Sequence, residues 1–280
     1  MIRKGVLLTA VVLLSAAGFV QAQEGGLTGT VDVTYLSRYV WRGYDMYEED
    51  HSAIQFGTNL NLFDTGFGFK VEGTRANGSG DGLVGLPNES LERWQWTLHY
   101  ANSLRDGESS ATNYMIGWTY WNQPDLGQET ADFQEMFLSL SWPEFLSCGV
   151  VPSYTVVRMW TSSSKSWIDR TLSGWDKAGT THGGSGSAGG WLHIPGLDYD
   201  CTMPGTSEQP LHLSAAATYN DGVLGADHDW SHAVFGASTN FDLGNNLTFT
   251  PGVYYQVTFE DWVNDDKDET WVSLGVSYKF

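Results

Sequence analysis

Hydrophobic and polar residues alternate along most of the chain with a period of two residues. In the final segment, residues 269–280 ("ETWVSLGVSYKF"), the even-numbered positions are mostly apolar and the odd-numbered positions are mostly polar or small. The segment 247–260 shows the same alternation with the opposite parity. A period of two is that of a β-strand with one apolar face. The pattern therefore predicts an all-β protein, and no segment has the convincing period of an amphipathic helix.

The alternation predicts about twelve strands, with a range of ten to fourteen. The eighth is interrupted by Pro195 and Gly196, so that an irregular edge or a loop is an alternative there. The predicted strands cover residues 30–42, 52–63, 67–72, 93–100, 114–121, 136–142, 150–160, 191–201, 211–219, 230–242, 247–260 and 269–280.

The connections between these strands alternate between mostly short turns and longer polar loops. Short turns at one end and long loops at the other are typical of a transmembrane β-barrel. We therefore predict a single antiparallel transmembrane barrel, in which the last strand pairs with the first and no edge stays open. A secreted β-sandwich uses the same alternation and is the alternative fold.

The first residues, "MIRKGVLLTAVVLLSAAGFVQAQ", have the layout of a secretory signal peptide. Arg3 and Lys4 precede an apolar run, and the small-residue site Val20-Gln21-Ala22 precedes the expected cleavage point. A retained anchor helix is the alternative for this run. We predict a signal peptide over residues 1–22 and a barrel domain over 23–280, located in the outer membrane of a Gram-negative envelope.

Composition agrees with a membrane barrel and excludes other classes. The formal net charge of −19 argues against a nucleic-acid partner. Aromatic residues make up 14% of the chain, which is too many for an acidic disordered protein. Many of them fall near predicted strand ends, where aromatic rings of barrels meet lipid headgroups. Outer-membrane lipid is therefore an expected partner, while no cofactor and no resident metal is expected.

Charged residues on the polar faces of the first to sixth strands are candidates for the barrel lumen. A barrel of this size has room for a narrow pore. Such residues could form a ladder that sets ion selectivity, or they could simply pair with one another in a plugged lumen. With the ladder interpretation, the protein is a porin-like passive channel for small solutes. The candidate residues are Arg38, Arg42, Lys70, Glu72, Arg93 and Glu135.

The acidic segment "DWVNDDKDE" supports a different function. Clustered carboxylates can bind divalent cations, although a solvated run of charge has the same composition. A non-conducting barrel whose acidic loops bind a partner or divalent cations is thus the main alternative to a channel. The possible ligands are Asp261, Asp265, Asp266, Asp268 and Glu269.

An enzyme in the outer membrane is a further alternative that the sequence does not favour. His212 and Ser214 share one face of a predicted strand, but such positions are roughly 7 Å apart. No third residue that could orient them is evident, so that we expect no catalytic activity.

Two features concern the second half of the chain. Cys148 and Cys201 both lie at the predicted short-turn end on neighbouring strands, so that a disulfide is expected, with two free thiols as the alternative.

The insert at residues 161–189 combines large apolar side chains with a Gly/Ser-rich end. It could fold into the mouth as a plug or remain a flexible surface loop.

A short motif stands in the N-terminal part of the chain. It consists of Ser37, Tyr39, Val40, Trp41, Arg42 and Gly43, followed by Ala53, Gln55 and Gly57. These residues match an S-x-Y-V-[FW]-R-G segment followed by an A-x-Q-x-[GS] strand, and in them the chain resembles the Gcw_chp family of conserved hypothetical bacterial barrels. The resemblance implies an outer-membrane barrel. The terminal Phe280, after an alternating strand, is similar to the insertion signal of outer-membrane proteins and implies recognition by the barrel assembly machinery.

Overall fold

The computed structural model describes residues 26–47, 51–77, 92–124, 132–162, 189–206, 208–261 and 263–280. The predicted signal peptide and most of the predicted insert (163–188) lie outside these residues. No helix in this part of the chain is long and apolar enough to cross a membrane.

The described chain forms a closed antiparallel barrel of twelve strands, which confirms the predicted fold class and strand number. Strands are numbered in chain order together with three short ones, β2 (Val40–Trp41), β3 (Tyr44–Asp45) and β13 (Phe241–Gly244). The barrel strands are β1 (Thr28–Leu36), β4 (Ala53–Asn61), β5 (Phe67–Ala76), β6 (Glu92–Leu104), β7 (Thr112–Asn122), β8 (Phe133–Ser141), β9 (Val150–Thr161), β10 (Gly190–Thr202), β11 (Pro210–Asp221), β12 (His228–Ser238), β14 (Leu247–Thr258) and β15 (Glu269–Lys279).

The barrel closes between its first and last strands. β1 pairs with β15 from Thr30↔Lys279 to Leu36↔Ser273. Below this ladder, Gly29 and Phe280 exchange two backbone hydrogen bonds of 3.0 Å. Each strand of the ring therefore has a neighbour on both sides, and the single closed sheet excludes the β-sandwich alternative.

Alternation along the strands separates an apolar outer face from an inner face. Large apolar side chains are exposed on the outside in the middle of the strands, as is required of a barrel that meets lipid. Examples of these outward residues are Val33, Leu98, Ile116, Met136, Val253, Val272 and Leu274.

Short turns occupy one end of the barrel, and most connections at the other end are longer, as predicted; the six-residue connection 222–227 is an exception. The turns at the first end cover residues 62–66, 105–111, 142–149, 203–209 and 239–246. At the opposite end, the connections 222–227 and 259–268 contain the 3₁₀ turns Val223–Gly225 and Asn264–Asp266. In outer-membrane barrels the short turns face the periplasm, and the longer loops face the exterior.

The first predicted strand is wrong beyond Leu36. β1 ends there, and the following residues leave the sheet and form the separate two-stranded sheet of β2 and β3. Alternation continues through this segment, but its apolar residues are buried against other side chains: Tyr39 and Tyr44 are 6% and 5% exposed.

The predicted disulfide is also wrong, because Cys148 and Cys201 are both free thiols. The ladder between β9 and β10 ends at the pair Val150↔Tyr199. Just before Val150 the chain turns through Gly149, whose φ of +83° belongs to the left-handed region. Cys148 therefore lies in an exposed turn, while Cys201 continues along β10 and its thiol contacts the carbonyl oxygen of Leu211 at 3.7 Å.

Candidate functional site

Residues 37–47, called the inner hairpin below, fold into the mouth of the barrel at its long-loop end. Val40 pairs with Asp45, and Trp41 pairs with Tyr44. The two residues between them, Arg42 and Gly43, have φ values of 52° and 94°. Positive φ at both central positions is the requirement of a type I′ turn, which favours glycine at such a position. The sequence "RG" thus produces a tight reversal inside the lumen.

The tip of the hairpin lies against strands β12 and β14. A Cβ atom added to Gly43 would be 2.6 Å from Nδ1 of His232 and 2.7 Å from Cγ1 of Val263. The side chain of Gln256 donates a hydrogen bond of 2.7 Å to the carbonyl oxygen of Gly43. Farther along the hairpin, the amide of Asp45 donates to the side-chain oxygen of Asn264 at 3.0 Å. These contacts attach the hairpin to β12, β14 and the connection that follows β14, so that it extends from β1 into the lumen.

Aromatic side chains of the hairpin belong to an apolar cluster inside the upper barrel. Trp41 packs against Trp121 and Phe133, with ring centroids 5.0 and 5.6 Å apart. Tyr47 is fully buried, and its hydroxyl donates to the carbonyl oxygen of Thr74 at 3.2 Å. Burial of one large apolar side chain stabilises by about 1.5–3 kcal/mol, so that several such contacts together dock the hairpin firmly.

Arg38 and Arg42, which were predicted to line the wall, lie on the inner hairpin instead. Arg38 forms ion pairs with Glu269 of β15 and, at 3.5 Å, with Asp45. Arg42 reaches Glu135 of β8 at 3.3 Å. The hairpin is therefore connected by charge to two distant parts of the wall.

Lys70 and Glu72 of β5 line the cavity inside the barrel and pair with each other at 2.7 Å. Glu72 also accepts hydrogen bonds from the amide groups of Gln55, at 3.0 Å, and Gln95. This carboxylate is thus compensated by one cation and two neutral donors.

Arg93 forms no ion pair with a carboxylate among the described residues. Its side chain is buried, and its guanidinium carbon lies 4.7, 5.5 and 5.9 Å from the ring centroids of Trp41, Trp121 and Tyr39. Within the described part of the chain, none of its guanidinium nitrogens has a hydrogen-bond partner. Cation–π attraction thus holds this charge and couples β6 to the inner hairpin.

Below the hairpin lies a cavity of about 550 Å³. A second cavity, of about 500 Å³, continues toward the short-turn end. The two share Met115, Ser139 and Thr155 in their walls, so that they adjoin inside the lumen. The interior of the barrel thus has an obstructed upper mouth and, beneath it, open space lined by polar and apolar side chains.

The described carboxylates of the connection 259–268 and of the start of β15 do not gather around one point. Glu269 is buried and pairs with Arg38 and the side-chain amide of Asn264. Asp268 accepts hydrogen bonds from the hydroxyl of Tyr255 at 2.6 Å and from the amide of Thr258 at 3.0 Å.

The other predicted ligands, Asp261 and Asp266, take no part in a metal group, and the side chain of Asp265 is not among the described ones. Among the described residues no three acidic, histidine or cysteine side chains are placed to hold a metal ion. The hydrogen bonds from Tyr255 and Thr258 lower the pKa of Asp268 below its usual value. This carboxylate thus serves to fix the loop.

The residues that dock the hairpin were not predicted as site residues. His232, Gln256, Asn264 and Trp121 sit on strands or loops whose sequence shows only ordinary alternation. The single signal that could have pointed to the hairpin is the dipeptide Arg42-Gly43, because glycine between two aromatic residues within a strand pattern marks a turn or a bulge.

Comparison with known proteins supports the fold. No protein-family model matches the chain, and no curated protein matches it. It is similar to the solved structure of the KdgM porin, with 10% identity and a TM-score of 0.51 over 90% of this chain and 99% of that one. The structure of KdgM porin in complex with disordered oligogalacturonate matches with the same values. At this identity the likeness concerns the fold.

The closed sheet, the outward apolar band and this likeness define the chain as an outer-membrane β-barrel with a porin-like fold.

Proposed function

We propose that the barrel is a passive channel for small solutes whose mouth is narrowed by the inner hairpin. The observation that carries the proposal is the open space of the lumen, lined by polar and apolar side chains, which continues from the hairpin toward the short-turn end. A lumen that served only structural purposes would be filled by side chains, as in the smallest barrels. A twelve-stranded ring leaves room for solutes, and the hairpin sets how much of that room is accessible.

The predicted charge ladder is proposed to act through the hairpin. Arg38 and Arg42 face the cavity, and each is paired with a carboxylate. Charged side chains that line a constriction set ion selectivity, and their pairing weakens the preference for either sign. We therefore expect a weakly selective pore and no enzymatic activity.

Acidic oligosaccharides are not the favoured solutes, although one KdgM porin structure contains oligogalacturonate. The cations Arg38, Arg42 and Lys70 line the cavity, and each is paired with a carboxylate. An anionic chain would have to break these pairs before it could bind.

The test is the single-channel conductance of residues 23–280 refolded into a planar bilayer. A second protein replaces residues 38–46 by a short Gly/Ser linker, and a third lacks residues 163–188. We expect small steady currents from the full-length barrel and clearly larger currents without the hairpin. Larger currents from the third protein alone would assign the constriction to the insert and contradict the role of the hairpin.

Silence from all three proteins, with β-content and heat-modifiable migration intact, would overturn the channel. It would favour a non-conducting barrel that binds a partner or divalent cations through its acidic loops. The observation that favours this second function is the apolar cluster that fills the mouth of the barrel.

The family resemblance leads to a related proposal. The matching residues from Ser37 to Gly43 form the start and the tip of the inner hairpin. We propose that barrels with the same segment carry the same hairpin. Recognition of the strand ending in Phe280 by the barrel assembly machinery is likewise kept as a proposal.

A further inference from the structure

Seven neutral side chains with amide or hydroxyl groups line part of the cavity beneath the inner hairpin, beside apolar and charged side chains. They come from neighbouring strands on one side of the barrel, β4 and β6 to β9. Amides and hydroxyls both donate and accept hydrogen bonds, so that such a wall suits a ligand with many hydroxyl groups. The groups are Gln55, Asn59, Gln95, Thr97, Thr119, Ser139 and Thr155.

Charges in the same wall compensate one another. Lys70 lies 2.7 Å from Glu72, and Arg42 lies 3.3 Å from Glu135. Both carboxylates are buried, at 9% and 3% exposure. A charged ligand would have to separate one of these pairs and leave the released carboxylate or cation without compensation, which is costly in a buried site. The cavity thus discriminates against solutes of either sign.

One polar atom of the wall points to a missing partner. The side-chain oxygen of Asn59 is buried, and it accepts no hydrogen bond from any described residue. Buried acceptors are normally satisfied, because an unpaired one loses its hydration without compensation. Nearby hydroxyls have capacity to spare: those of Thr97 and Thr119 are 2.9 Å apart, and Thr155 donates to Ser139 at 2.8 Å. The Asn59 side chain lines the cavity, and a rotation that turns its oxygen toward the cavity lets a ligand hydroxyl donate to it.

Apolar faces complete the site. Trp41 of the hairpin and Trp271 of β15 line the same cavity, as do Phe137 and Met115. A sugar ring carries hydroxyls at its edge and C–H groups on its faces, and ligand sites typically combine apolar faces with a few placed polar groups. We propose that this cavity binds a neutral sugar of one or two rings. The inference rests on the proposed channel, for which it names the class of solute.

The experiment compares three probes that share a ring and differ in charge: glucose, glucuronate and glucosamine. Binding to refolded residues 23–280 in detergent is measured by calorimetry, and uptake is measured by the swelling of liposomes that contain the protein. We expect measurable binding of glucose, with glucuronate and glucosamine at least about tenfold weaker, and the same order in swelling rates.

Asn59→Leu is expected to weaken glucose binding about tenfold, the effect of removing one hydrogen-bonding group. Asn61→Leu is the matched control, because it is the next inward residue on β4 and does not line the cavity. Its affinity for glucose should not change. If Asn59→Leu fails to fold, Thr119→Val provides the same comparison.

The outcomes separate the two proposals. Binding of glucose by a barrel that carries no current would retain the sugar site and overturn the channel. A conducting barrel that binds no glucose, or that passes all three probes equally, would overturn the sugar site and retain the channel. Equal glucose affinity of Asn59→Leu and the original protein would also overturn the assignment of this cavity.

Discussion

Gly43 is the residue on which docking of the inner hairpin depends most directly. Its φ of 94° is unfavourable for any residue with a Cβ, and a Cβ there would be 2.6 Å from the ring of His232. Gly43→Ala should therefore suffer both backbone strain, about 1–2 kcal/mol, and a steric clash. We expect it to lower the free energy of unfolding by more than strain alone and to raise the conductance of the pore. Urea unfolding and single-channel recording measure these effects.

Gly107 provides the control for that substitution. Its φ of 79° is also left-handed, but nothing lies within 4 Å of the position that its Cβ would take. Gly107→Ala should thus show the strain alone and leave the conductance unchanged. Equal losses of stability for the two variants, with equal currents, would mean that the hairpin does not pack against β12 as tightly as Gly43 indicates.

The inner hairpin, as an element, is fixed to the far wall by the ion pair between Arg42 and Glu135. Glu135 is buried, and the Arg42 side chain is 22% exposed. Removal of one partner leaves an uncompensated buried charge, so that Arg42→Met should cost up to about 3 kcal/mol, the low end for buried pairs. The double variant Arg42→Met with Glu135→Gln should recover part of that loss, since no charge then remains. The free energies of unfolding of the original protein, the two single variants and the double variant give the coupling energy between Arg42 and Glu135.

Arg75 and Glu92 form the matched surface pair, at 2.9 Å between strands β5 and β6. Both side chains are about a third exposed, at 31% and 32%. Arg75→Met should therefore cost at most about 1 kcal/mol and leave the current unchanged. If the Arg42 and Arg75 variants behave alike, the pair of the hairpin contributes no more than a surface ion pair.

The barrel strands could be predicted from the sequence, because each is long enough for alternation to be counted. Even the doubtful strand with Pro195 and Gly196 forms β10 with pairing on both sides. The inner hairpin could not be predicted. Aromatic residues that face lipid and aromatic residues that pack inside the lumen both alternate with a period of two. The period therefore does not show to which of these two environments an aromatic side chain belongs. Tyr39 and Trp41 therefore fitted an outward strand until tertiary contacts showed otherwise.

The inward direction of the charged residues on β5, β6 and β8 follows from strand parity, which the sequence shows, whereas their role in selectivity stays a prediction. Their partners depend on where the hairpin lies, and that position is set by distant residues such as Gln256. The disulfide prediction was wrong for a related reason. Cys148 and Cys201 were expected to lie close together because they were assigned to neighbouring strands, but the local turn at Gly149 places Cys148 outside the strand ladder.

The barrel as a whole requires an uninterrupted apolar band on its outside. Leu274 lies in the middle of β15, is 41% exposed, and pairs with Tyr35 of β1 and Pro251 of β14. Leu274→Arg would place a charge near the midplane of the bilayer, where arginine on the lipid face costs roughly 2–4 kcal/mol. We expect that loss in the free energy of unfolding from lipid vesicles, measured by denaturant titration.

Leu243 is the control, because it lies in β13 at the short-turn end and is 57% exposed. Leu243→Arg should cost about 0–1 kcal/mol, since the cost falls toward the interface. The difference between the two positions tests whether the barrel spans a bilayer. In a protein that does not span a membrane, both positions would be exposed to water, and both substitutions would be nearly neutral. Equal and small effects at Leu274 and Leu243 would therefore contradict a transmembrane barrel, whereas a loss confined to Leu274 would locate the midplane on β15.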